Sequence, residues 1–281
     1  MQRLLFLALL LLHTATAWAL KPLPNWWAKP DTLGLQYQAL VLTTPDHVQL
    51  ASWLIEPAAG APVQRTTMVV ASGDWGNMSY QLFQAQALAT AGYRVLLFDY
   101  RGYGHSGAFA IDERRLYYEE FATDLRTALA EARRRSPRQR VGILSFSMGT
   151  LLGAEVASKT RCDFLITDGY FGHPAAIAAY QLAAFHKTVT LPAGAATYNP
   201  VAPKVNCPWL FIAGTEDRKT PMADSAAAAV RAARPRQRRQ LLAVKCDHLG
   251  AMEVLTENAY GDAYVRALGQ FLAGELAAGK S

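Results

Sequence analysis

Past residue 66 the chain alternates short apolar runs with longer helical stretches, and that alternation limits the available folds more than any other feature. Residues 67–71, 94–100, 141–145, 164–167, 209–213 and 241–244 read as buried strands. Residues 80–91, 117–134, 148–158 and 259–277 carry helical patterning between and after them. Parallel strands need crossover connections, and these are right-handed and cover both faces of the sheet. Ahead of this region, residues 37–42 and 48–55 alternate apolar and polar around Thr43-Thr44-Pro45-Asp46, the pattern of an antiparallel hairpin. The expected fold class is α/β, with a mostly parallel sheet of about eight strands and helices on both faces. With 281 residues, 51% of them apolar, one large core is within reach. No repeat or linker divides it, so residues 20–281 read as a single domain.

The first 19 residues read differently. Arg3 supplies a positive start, residues 4–12 an apolar run, and Ala17-Trp18-Ala19 a small-x-small cleavage site. The run is shorter than the ~20 residues a membrane-spanning helix needs. A cleaved signal peptide over residues 1–19 is expected, with export to the periplasm or medium; an uncleaved anchor is the alternative. No other stretch is apolar enough to span a membrane.

Formal net charge is +6, and it falls by one when Arg3 leaves with the leader. The basic residues cluster at Arg133-Arg134-Arg135 with Arg138 and Arg140, and between Arg231 and Arg239. Both clusters fall near expected helix C-termini, where cations complement the helix dipole. Neither contains the aromatic residues that a nucleic-acid surface interleaves with its cations, so no nucleic-acid partner is expected.

The pattern that carries chemistry is Ser145-Phe146-Ser147-Met148-Gly149, directly between a buried strand and a helix. A serine in so sharp a turn takes a strained backbone and lifts its hydroxyl above the sheet. The positions two before and two after it are crowded and need small side chains, here Ser145 and Gly149. Serine needs a base held by a third group, and in this architecture the acid and then the histidine follow it in the chain. Asp217 lies just past strand 209–213, and His248 just past strand 241–244. Glu216 is the neighbouring alternative acid and Asp168 a more distant one. His105, His173 and His186 have no comparable strand context. The developing oxyanion needs N–H donors. Met148, at the start of the helix, supplies one, and Asp74 in the loop Ser72-Gly73-Asp74-Trp75-Gly76-Asn77 the other.

Residues Gly102 to Gly107 spell G-x-G-x-x-G, but they follow a later strand and open no helix at once, as a dinucleotide site requires. No His/Cys/carboxylate cluster has metal-ligand spacing. No cofactor and no metal are expected.

Taken together, SGDWGN, FDYRGYGHSG, SFSMG, GTEDRKTP and CDHLG resemble the α/β-hydrolase superfamily over roughly residues 37–275. The likeness is to its small-cap branch, which holds depalmitoylase-like, monoacylglycerol-lipase-like and aminopeptidase-like members. The resemblance implies a triad of Ser147, Asp217 and His248, oxyanion donors at Asp74 and Met148, and a buttressing role for the loop from Asp99 to Gly104. Two positions depart from the usual pattern: Ser145 stands for the first glycine of the elbow, and Ser72 for the histidine before the oxyanion glycine. A small cap is expected near residues 169–206, with Trp75, Tyr170, Phe171 and Tyr180 around the substrate pocket. Strand order in the resembled fold also sets Cys162 beside Cys207, which implies a disulfide between them and leaves Cys246 free. The function expected is hydrolysis of an ester, thioester or amide of a small or lipid-linked substrate, a carboxylic ester foremost, through an acyl-Ser147 intermediate. A catalytically silent binding module on the same fold and an acyltransferase using the same triad are the alternatives.

Overall fold

The computed structural model describes residues 19–197, 201–230 and 237–276. The leader, and most of the basic run that begins at Arg231, lie outside them. Among the described residues eight strands form one sheet: β1 (Tyr37–Thr43), β2 (Gln49–Ile55), β3 (Thr66–Ala71), β4 (Arg94–Phe98), β5 (Arg140–Phe146), β6 (Leu165–Asp168), β7 (Trp209–Gly214) and β8 (Arg239–Val244). Their order across the sheet is β8-β7-β6-β5-β3-β4-β2-β1. Only β2 runs against its neighbours, pairing antiparallel with β1 in the register Tyr37↔Ile55 and with β4. The hairpin and the parallel body expected from the two hydrophobic rhythms are both present.

Among the described residues seven α-helices accompany the sheet: α1 (Leu82–Thr90), α2 (Glu119–Arg135), α3 (Met148–Lys159), α4 (Pro174–Phe185), α5 (Met222–Val230), α6 (Ala251–Val254) and α7 (Asp262–Ala273). Period-two alternation in the strands divides the core between the two faces. Val69, Leu96, Phe98, Val141 and Ile143 pack with Phe121 and Leu125 of α2 and Leu151, Leu152 and Val156 of α3. Met68, Val70, Val95, Leu97 and Leu144 pack with Leu82 and Leu88 of α1 and Tyr264, Val265 and Leu268 of α7. Strands buried on both sides therefore read as continuous apolar runs.

Element ends differ from the sequence expectation where local chemistry intervenes. The last helix is shorter than 259–277 because Gly261 (φ 70°) and Gly274 (φ 86°), both in the left-handed region, bracket it. Strand β4 stops at Phe98, two residues early. There Asp99 turns inward, taking the Met78 amide on one oxygen (2.6 Å) and the Trp26 indole N–H on the other (2.7 Å). Arg133, Arg134 and Arg135 do fall in the last turn of α2, and Glu131 binds two of them. Arg239, by contrast, opens β8 rather than closing a helix.

The loop after β4 is anchored by a buried charge cluster. The Arg101 guanidinium donates to both oxygens of Asp124, with the shortest contact 2.7 Å, and to Asp46 at 2.6 Å. Asp124 has no exposed side-chain surface. Removing one partner of such a pair leaves an uncompensated buried charge, at a cost of about 3–5 kcal/mol. Asp124→Ala is expected to lower the unfolding free energy by about 3 kcal/mol in urea titration, with the m-value unchanged.

Candidate active site

Strand β5 runs into α3 through one residue, Ser147, whose φ of 48° and ψ of −120° put it in the left-handed half of the map. A non-glycine residue there carries strain of order 1–3 kcal/mol and persists only where its surroundings hold it. Here the Ser147 amide donates to the Asp168 carbonyl at 3.0 Å. Its own carbonyl accepts from the Thr150 amide at 2.8 Å and the Thr150 hydroxyl at 2.6 Å. A Cβ at Gly149 would collide with the carbonyl oxygens of Ala71 and Ser72, so the helix can meet the sheet this closely only with glycine there. Ser145 meets the crowding with a hydroxymethyl that is fully buried and donates to the Ile166 carbonyl at 3.0 Å.

β7 and β8 deliver the two partners from their carboxyl ends. His248 Nε2 lies 3.0 Å from Ser147 Oγ, and Nδ1 lies 2.8 Å from Asp217 Oδ2. Asp217 Oδ1 accepts the amides of Lys219 (2.7 Å) and Thr220 (2.9 Å), and Oδ2 also accepts the Thr220 hydroxyl (2.5 Å). Burial alone would raise the Asp217 pKa, but hydrogen bonds from His248 and Thr220 outweigh it and hold the carboxyl below its ordinary value. An ionised carboxylate on Nδ1 fixes the tautomer that leaves Nε2 free to accept the serine proton. Neither alternative acid reaches the imidazole by a hydrogen bond: Glu216 is exposed, and Asp168 points into the core against Tyr264. His105 stacks on Trp26 at 3.7 Å, and His173 and His186 flank α4.

The loop expected to supply the second oxyanion donor lies against Ser147. A Cβ built on Gly73 would stand 3.5 Å from the Ser147 Cβ, which puts Asp74 next to the reacting centre. Met148 is buried at the first position of α3, where a helix leaves its N–H groups without an intrahelical acceptor. Burial pushes the Asp74 carboxyl up, while its own amide, His248, Lys219 and Lys187 pull it down. Asp74, Leu116, Phe185, Lys187, Val189 and Lys219 line a pocket on this side of the triad. Tyr180 stands at a neighbouring opening with Phe185, Arg218, Lys219 and Asp247.

Two expected pocket residues are buried. Tyr170 is buried edge-on against Trp209 (5.2 Å) and Phe211 (5.5 Å), and Phe171 is buried in the same core cluster. Trp75 is 47% exposed and meets Tyr80 edge-on. Cys162, Cys207 and Cys246 are all free thiols, so the disulfide implied by strand order is not formed. The two cysteines are nonetheless brought together: the hydrogen bond to Cys207, together with burial, holds the Cys162 thiol well above its usual pKa. Sequence reading missed Thr220, Lys187 and Lys219. Thr220 alone had a signal, three residues after the acid in GTEDRKTP.

The run from Gly102 to Gly107 folds back on Asp99, whose Oδ2 accepts the His105 amide and whose carbonyl accepts the Ser106 hydroxyl. Among the described residues no group of three or more His, Cys, Asp or Glu side chains is placed to hold a metal ion. None of the helices among them is long and apolar enough to cross a membrane.

Asp168 lies beneath the triad. Burial raises its pKa to about 7, against the hydrogen bond from Tyr264 Oη (3.1 Å) and the pull of His248. The folded protein therefore keeps a proton that the unfolded chain releases near pH 4, so stability falls as pH rises between about 4 and 7. Asp168→Asn, which still accepts from Tyr264, is expected to flatten that fall in thermal denaturation measured across the same window.

Comparison with known proteins agrees with the fold. The family model described as serine aminopeptidase S33 (Hydrolase_4) matches residues 64–167, the segment from β3 to β6 that holds the oxyanion loop and the elbow. An esterase from Pyrococcus furiosus superposes with a TM-score of 0.71 at 19% identity, covering 92% of this chain and 100% of the esterase. An α/β serine hydrolase without a lid from Xanthomonas campestris gives 0.57 at 19% identity, covering 85% and 93%. Acylaminoacyl peptidase from Pyrococcus horikoshii gives 0.60 at 16% identity, covering 88% of this chain but 43% of the peptidase. An uncharacterized membrane protein of Saccharomyces cerevisiae is 27% identical over 150 residues, which is 50% of this chain; the match spans about half the length of that relative. Its strand order, its strained serine between β5 and α3 and these likenesses give the chain the same fold as the α/β serine hydrolases it resembles.

Proposed function

We propose that this chain is an exported serine hydrolase that cleaves an acyl bond, a carboxylic ester foremost, through an acyl-Ser147 intermediate. The observation that carries the reading is the unbroken hydrogen-bonded line from Ser147 Oγ through His248 to Asp217, at 3.0 and 2.8 Å. In the first half-reaction Nε2 takes the hydroxyl proton as Oγ bonds to the acyl carbon, and the carbonyl oxygen becomes an oxyanion beside the Asp74 and Met148 amides. When the tetrahedral species collapses, the bond to the leaving group breaks and His248 returns the proton to it. Water then repeats the sequence against the acyl-serine and releases the acid. The pocket mixes apolar Leu116, Phe185 and Val189 with Lys187 and Lys219, which suits an apolar acyl chain beside a polar or anionic group. Esterases and peptidases among the structural neighbours support hydrolysis, and the leader-like start supports export.

A fluorophosphonate probe is expected to label the folded chain at Ser147, and Ser147→Ala to abolish the adduct; a well-folded chain that takes no label would instead be a silent binding module. Asp217→Asn is expected to lower kcat on short-chain p-nitrophenyl esters by roughly 10²–10⁴-fold, because the amide favours the wrong tautomer of His248. Product analysis with added alcohol or thiol distinguishes hydrolysis from acyl transfer. N-terminal sequencing of the protein exported from a bacterial host is expected to begin at Leu20.

A further inference from the structure

The loop that aims the Asp74 amide is not held by the sheet alone. β3 ends at Ala71, and the six residues from Ser72 to Asn77 must cross the site before the next helical turn begins at Met78. Along that span a second piece of chain lies beside them. Lys21–Pro22 pairs in parallel with Trp75–Gly76, as a two-stranded ribbon separate from the main sheet. The Lys21 amide donates to the Asp74 carbonyl at 2.8 Å, and the Leu23 amide donates to the Gly76 carbonyl at 2.9 Å. The Asn77 side-chain amide returns two bonds, to the carbonyls of Leu23 (2.9 Å) and Asn25 (2.8 Å). The ribbon is anchored at both ends. Leu20 is fully buried in the core and donates to the Glu113 carbonyl at 3.0 Å. Trp26 donates to Asp99 and stacks on His105.

We propose that residues 20–25 are a positioning strap for the oxyanion loop, holding Asp74 where its amide meets the developing negative charge. The proposal rests on the hydrolase reading above. Its physical basis is that a donor contributes to catalysis only when it is preorganised at the position the oxyanion will occupy. Fixing the Asp74 carbonyl, by the Lys21 amide on one side and the Tyr103 hydroxyl (3.2 Å) on the other, restricts the torsions of residue 74. A loop rich in glycine cannot do this for itself, since Gly73 and Gly76 leave the backbone free to rotate. The strap begins at the residue that follows the expected cleavage site, so a processed chain keeps every one of these bonds; at Leu20 an amino group takes the place of the amide that donates to Glu113.

The test is Lys21→Pro in the chain that begins at Leu20. Proline suits an extended segment but has no N–H to give Asp74. The expected result is a kcat on p-nitrophenyl butyrate lowered about 10-fold or more, short of the 10²–10³ for complete loss of a donor. KM should stay within about twofold, because ground-state binding makes little use of the hole. Affinity for an alkyl trifluoromethyl ketone, whose carbonyl Ser147 converts to an anionic tetrahedral adduct, should fall by the same factor as kcat/KM. Amide hydrogen exchange over residues 74–77 should quicken relative to β3. Lys21→Ala, which keeps the N–H, should restore all of these values. A folded Lys21→Pro protein whose kcat, ketone affinity and exchange match the parent overturns the proposal. If the parent neither turns over ester nor takes fluorophosphonate, the hydrolase reading fails on its own terms; unchanged exchange in Lys21→Pro would then refute the strap separately.

Discussion

A serine held at φ 48° is a strained object, and the packing that sustains it also assembles everything else in the site. The strain is offset by the bond from the Ser147 amide to the end of β6, by the Thr150 cap on its carbonyl and by the close seating of α3 on β3. The first and last of those contacts tie Ser147 to β6 and β3, and the Thr150 cap ties it to α3. β6 lies beside β5, and β7 and β8 follow in order, so the acid and the base arrive from the same edge. The helix N-terminus that α3 presents there favours negative charge, as an acyl-transfer site requires.

Charge is handled differently on the two sides of His248. Asp217 is almost wholly buried yet surrounded by donors, two amides and a hydroxyl besides the imidazole, so it stays ionised. Asp168, one strand away and more deeply buried, has among the described residues a side-chain donor in Tyr264 and holds its proton to about pH 7. Two aspartates at the ends of neighbouring strands thus differ in charge at mildly acid pH because of how many N–H and O–H groups face them. Keeping the deeper one neutral spares the triad a second negative charge beneath the imidazole.

Much of this was legible in the linear chain. Buried parallel strands carry unbroken apolar runs, and crossover helices carry a longer period; that contrast is local, so the fold class followed from pattern alone. Ser147, Asp217 and His248 were legible because each sits one short step past a strand, where topology leaves little choice about which edge of the sheet it reaches. Tyr170 was misjudged for a complementary reason. An aromatic at a strand exit can serve a pocket or a core, and its own composition does not distinguish them; Trp209 and Phe211, some 40 residues on in the chain, decided it. Cys162 and Cys207 were correctly neighboured by strand order, but adjacency does not make a bond, and both remain thiols.

The amino-acid order by itself determined the α/β architecture, the sharp turn at Ser147 and the chain order of Ser147, Asp217 and His248, because hydrophobic period and chain order are one-dimensional properties. Only the tertiary structure decided which carboxylate faces the imidazole, which is buried with its proton, and what braces the oxyanion loop. Those outcomes depend on distances between segments far apart in the chain, as when the amide of Lys21 finds the carbonyl of Asp74, and no local pattern encodes such a meeting.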